Sequence, residues 1–93
     1  MIAMKIVWDE PKRLSNIAKH HLDFTEMELG FDFGAALVIP ARSSRTGRSR
    51  QTLVGDLRGT LLVAAIVSPL GSEALSIVSL RPANKKEQRL YER

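Results

Sequence analysis

The 93-residue chain has no cysteine, one tryptophan, one tyrosine and three phenylalanines. Without thiols it can make neither a disulfide staple nor a thiolate metal site, which excludes a zinc ribbon and fits a reducing, cytoplasmic setting. Its two histidines, His20 and His21, are adjacent. On a helix adjacent side chains point to different faces, and no His-x-x-x-His pair or acidic metal loop is present, so no metal and no cofactor are expected. Long apolar runs are also missing. The longest, 61–67, is far short of the ~20 residues a membrane helix needs. No charged-then-apolar N-terminal signal is visible, and Met4 offers a second start, which leaves residues 1–3 as a lead. Glycine-rich phosphate loops, nucleophile elbows and helix-turn-helix patterns are absent as well.

What remains is a chain of one-domain length, 1–93, able to bury roughly two thirds of its unfolded surface without staples. Its net charge of +4 is unevenly placed. Residues 1–40 carry four basic and six acidic side chains, whereas Arg42, Arg45, Arg48 and Arg50 follow one another with no acid between them. Residues 81–93 carry five basic and two acidic groups. Brought together by the fold, these two segments would form a surface that attracts a polyanion, nucleic acid above all.

Local patterns predict an α+β domain with a mostly antiparallel sheet, two N-terminal helices packed on it and a short C-terminal helix. A strand over 4–8 leads to a helix with Asp9 as N-cap and Pro11 in its first turn. Leu14, Ile17, Ala18 and His21 share one face of that helix, the expected buried one, and Arg13, Asn16 and His20 share the other. A second helix over 26–31 is marked by capping-box spacing of Thr25 and Glu28 and staple spacing of Phe24 and Leu29, with Asp23 and Glu26 as an alternative start. Strands are expected over 36–39, 51–55, 60–68 and 73–81, separated by an arginine-rich loop over 41–49 and turns at 56–59 and 69–72.

The last strand ends in a lone arginine that turns directly into a basic helix. If the pleat holds to its end, Arg81 lies on the face of Ile77. Pro82 keeps Arg81 extended, and Asn84 with Glu87 has capping-box spacing for a helix from about Lys85. Lys85 and Lys86 then stand in a first turn, where positive charge opposes the helix macrodipole.

These residues carry the chemistry needed to cleave RNA without a metal. The reaction needs a base for the 2′-hydroxyl, an acid for the leaving oxygen and cations for the phosphorane. His20, on a polar helix face, suits proton transfer near neutral pH. Arg50 and Arg81 can grip phosphate oxygens bidentately. Tyr91 can stack on a base or donate a proton, and Lys85 and Lys86 can neutralise backbone phosphates. The same basic surface also suits a non-catalytic nucleic-acid- or partner-binding module.

Over nearly its whole length the chain resembles the BrnT family of ribonuclease toxins. The resemblance rests on Trp8-Asp9, on Pro11-Lys12-Arg13, Asn16 and Lys19-His20, and on Phe24 with Glu26 or Glu28. It continues in Arg50 through Gly55, in Ser79-x-Arg81-Pro82-Ala83, and in Lys86-Glu87 followed by Tyr91. His21 stands where the family pattern has glycine, a helix C-cap position that favours positive φ.

Membership implies a RelE-like fold and a small RNA endonuclease that blocks translation. It also implies a BrnA-like ribbon-helix-helix antitoxin that holds the enzyme inactive, with promoter DNA contacted mainly through the antitoxin. The site set it implies is Lys19, His20, Arg50, Arg81 and Tyr91. Arg42, Arg45 and Arg48 are further RNA-binding candidates that supplement or replace Arg50.

Overall fold

The computed structural model describes residues 5–40 and 50–92. Strand β1 (Lys5–Trp8) leads into helices α1 (Glu10–His20) and α2 (Thr25–Gly30). Strands β2 (Leu37–Pro40), β3 (Gln51–Leu57), β4 (Leu61–Leu70) and β5 (Ala74–Pro82) follow, and α3 (Lys85–Tyr91) closes the described chain. They form one five-stranded sheet in the order β1-β5-β4-β3-β2. All pairs are antiparallel except β1 with β5, which is parallel. The expected α+β architecture with a mostly antiparallel sheet is therefore what forms. Parallel pairing of β1 with the last strand needs a long crossover and has no local sequence signal.

The sheet is covered unequally. One face packs under the main core, where Phe24, Met27, Ile77 and Leu80 are wholly or almost wholly buried. Gly55 serves this face: a Cβ there would sit 2.9 Å from the Phe31 ring, so only glycine lets the ring lie on β3. The other face carries a smaller cluster of Val54, Ala64 and Ala83, with Leu37, Ile39, Leu62 and Tyr91 packed against it beneath α3.

Three local expectations are corrected. Helix α1 does not bury the Leu14 side; Leu14 is 55% exposed, His21 is exposed and Asn16 is buried. The Asn16 amide donates to the carbonyls of Leu80 (2.8 Å) and Leu22 (2.9 Å), and its oxygen accepts from the Leu80 N–H (3.0 Å). The start of α2 is organised by Asp23, whose carboxylate accepts from the Thr25 N–H. Thr25 therefore forms no capping box with Glu28, and Leu29, 83% exposed, staples nothing to Phe24. In β5 the pleat does not hold. Ile66 pairs with Ser79 but Val67 pairs with Ile77, so Val78 is an unpaired bulge residue. After it the faces exchange, and Leu80 rather than Arg81 continues the buried face of Ile77.

These corrections rank two substitutions in the order opposite to apolar periodicity. Asn16→Ala strands a buried N–H and carbonyl of Leu80, at about 2–4 kcal/mol. Leu14→Ala trims a side chain that is more than half exposed and costs less than about 1 kcal/mol. Urea unfolding midpoints of the two variants provide the comparison.

Candidate active site

Anchoring of Asn16 on Leu80 sets the residues around it against β5. A cavity of about 220 Å³ opens between α1 and β5, lined by Lys12, Ser15, Asn16, Lys19, His20, Val78 and Ser79. Among the described residues no carboxylate lines it. The Asp9 side chain at the N-cap makes no capping hydrogen bond, and the next two acids are occupied elsewhere: Arg13 donates to Glu10 (2.6 and 3.0 Å) and to Asp23 (3.0 Å). Its hydrogen bonds hold the Glu10 carboxyl below the usual carboxylate range. Asp23 is also held low, first by the Thr25 N–H and then by Arg13. Lys12, Lys19 and His20 have no hydrogen-bond or ion-pair partner among the described residues.

Helix α1 ends at His21 with φ 60°, a left-handed cap whose N–H returns to the Ile17 carbonyl. This is the conformation expected at that position, and histidine tolerates it better than β-branched residues do. It ends the helix immediately after His20, so the imidazole stands in the last turn beside Lys19.

The β5–α3 junction carries the second group. Since the bulge reverses the faces, Arg81 lies on the side of Ser79 and opposite Ala64. Its guanidinium is gripped end-on by Glu87, Nη1 to Oε1 at 2.7 Å and Nη2 to Oε2 at 2.8 Å. Glu87 also accepts from the Asn84 N–H (2.9 Å), while Asn84 Oδ1 accepts from the Glu87 N–H (2.8 Å), the full capping box. Arg81 foremost, and then the Asn84 N–H, hold the Glu87 carboxyl below its ordinary value, and Glu87 raises that of Arg81. The end-on grip leaves Nε–H and the outer N–H of Nη2 as a parallel donor pair. Lys85 and Lys86 are exposed at the start of α3.

Of the expected site residues, only Lys19 and His20 line the cavity. Arg81 is two residues along β5 from Ser79 on the same face, about 7 Å away along the strand. Arg50 is exposed immediately ahead of β3. It lies four residues, about 13 Å, from Val54, which is in the row of Ala64 and Arg81. Tyr91 packs in the smaller cluster beneath α3. Burial first, and then the charges of Asp56 and Asp32, raise its pKa, so it remains a neutral phenol. Arg42, Arg45 and Arg48 fall outside the described residues. Among the described residues no group of three or more His, Asp or Glu side chains could hold a metal ion. Sequence reasoning missed Lys12, Ser15 and Ser79 as lining residues and Glu87 as the partner of Arg81. The spacing of Lys12, Ser15 and Lys19 at i, i+3 and i+7 was the available signal for the first two.

Comparison with known proteins identifies a family and its fold. Residues 8–87 match the family model described as "Ribonuclease toxin, BrnT, of type II toxin-antitoxin system". The crystal structure of the Brucella abortus ribonuclease toxin BrnT is similar at 44% identity and a TM-score of 0.72, over 89% of this chain and 100% of that one. No curated protein matches the chain.

Glu87 links the site to stability. Because its folded pKa is lowered, its contribution is present above its unfolded value, near 4.5, and is lost as pH falls through the folded value. Glu87→Gln is expected to lower stability by about 1–2 kcal/mol at neutral pH. The gap to the parent protein should narrow at about pH 3, as measured by urea unfolding at both pH values.

Proposed function

The chain belongs to the BrnT family of ribonuclease toxins of type II toxin-antitoxin systems, and from that premise we propose that it cleaves RNA without a metal ion at the α1–β5 cavity. The observation that carries this reading is the meeting of His20 and Lys19, neither with a partner among the described residues, in a cavity whose described lining holds no acid, beside the sheet face that bears Arg81. A 2′-oxygen attacks the adjacent phosphorus and the bond to the 5′-oxygen breaks. The products are a 2′,3′-cyclic phosphate and a 5′-hydroxyl. His20 moves the proton, either from the 2′-hydroxyl or to the leaving oxygen. Lys19 and the free donor edge of Arg81 stabilise the charge that builds on the phosphorane. Glu87 acts as a positioning residue that turns this edge outward. Arg50 holds an outer phosphate, and Lys85 and Lys86 hold others at α3. Packing beneath α3 supports a structural duty for Tyr91 more than a chemical one.

The wider reading follows the family. The 93 residues act as a single toxin domain with a RelE-like sheet, in the cytoplasm, and cleavage blocks translation. A BrnA-like ribbon-helix-helix antitoxin neutralises the enzyme and carries the complex to promoter DNA. No described helix is long and apolar enough to cross a membrane.

Purified protein should cleave RNA in excess chelator and leave cyclic phosphate ends. His20→Ala should lower kcat by roughly 10²–10⁴. Undiminished cleavage by the His20→Ala, Arg81→Ala double variant would overturn the residue assignment, and activity abolished by chelator would overturn metal independence. Intact RNA recovered from salt-sensitive complexes would instead favour the binding-module reading. Expression of the chain alone should arrest growth, and co-expression of its antitoxin should relieve the arrest.

A further inference from the structure

The cavity extends beyond the residues needed for the chemistry. Lys19 and His20 occupy its end at the C-terminus of α1, while Lys12 and Ser15 line the part nearer the helix start. Seven residues separate Lys12 from Lys19, about 10 Å along the axis, enough to engage two neighbouring phosphates of an extended strand. Both ammonium groups lack an anionic partner among the described residues. This is selective, because Arg13, between them in sequence, is held by Glu10 and Asp23. The Ser15 hydroxyl adds a neutral donor, the Ser79 hydroxyl donates to Asn16 Oδ1 (3.5 Å), and the Asn16 amide is committed to backbone and forms part of the floor. A positive, hydroxyl-lined trough without carboxylates in its described lining recognises phosphodiester oxygens and gives no base-edge readout.

The geometry points to Lys12 and Ser15 as a second phosphate subsite, which binds the RNA backbone phosphate next to the scissile one and draws the strand along α1 toward its N-terminus. The subsite rests on the proposed RNA-cleaving reading only for the placement of the scissile phosphate at Lys19 and His20. It is a binding claim, so it is measurable without turnover.

The test uses the full chain and RNA ligands carrying 2′-deoxy substitution, which bind but cannot be cleaved. One is a hexanucleotide and the other a dinucleoside monophosphate with a single phosphate. Lys12→Gln should weaken hexanucleotide binding about five- to tenfold and make the salt dependence shallower by about 0.7 in log–log slope, the loss of one phosphate contact on a single strand. Ser15→Ala should weaken it about two- to threefold, and Lys12→Arg should restore it. The loss should be confined to the longer ligand. Arg89→Gln, which removes an exposed positive charge on α3, controls for general electrostatics and should leave the length dependence intact. Equal weakening of both ligands, or none, overturns the subsite. So does a Lys12→Gln effect seen only on antitoxin binding, which would make this a protein-docking surface. A protein that cleaves no RNA yet shows the length-dependent loss refutes the catalytic reading and leaves the subsite standing.

Discussion

The grip of the Asn16 side chain on the backbone of Leu80 is the contact from which the site follows. Strand β1 covers the outer edge of β5 only as far as Ile77, and beyond it the N–H and carbonyl of Leu80 need partners. A primary amide has the donor and acceptor arrangement of a peptide group, so Asn16 continues the sheet by one position. Because Asn16 sits in the middle of α1, that pairing fixes both the rotation and the height of the helix over β5. Lys12, Ser15, Lys19 and His20 then meet Ser79 across one cavity, and Leu14 is left in solvent. An apolar stripe lost the competition because two buried backbone groups without partners cost more than one exposed leucine.

Around that contact, local chemistry decided which parts of the chain could be read in advance. Helix α3 was legible because Asn84, Glu87 and Pro82 act within a few residues of one another, and the capping box is complete. Strands β2 to β5 were legible because each is apolar and bounded by turn residues. Strand β1 was found, but its partner was not, since nothing in residues 5–8 encodes pairing with residues 74–77. The bulge at Val78 was equally silent. It is a property of the β4–β5 register, and it reversed the face expected for Arg81.

The candidate site shows the same division. His20 and Lys19 stood out as a motif and do line the cavity. The resemblance to the toxin family, carried by short motifs spread along the chain, is confirmed by the match over residues 8–87. The partnership of Arg81 with Glu87 could not be read from spacing, because Glu87 already had a local role as a cap. One carboxylate serves both helix initiation and guanidinium orientation, so the order of α3 and the aim of Arg81 are a single equilibrium.

The pairing of the first strand with the last has a consequence for the order in which the protein is made. Lys5 pairs with Ala74, and Asn16 binds Leu80, so the first helix has no place to dock until some 80 residues have been joined. Contacts this distant in sequence form late, because closing the intervening loop comes first. The cavity that unites residues 12–20 with 78 and 79 therefore cannot exist on a chain still short of its closing strand. During synthesis the first helix is therefore complete long before residues 78 and 79, which close the cavity beside it, are added.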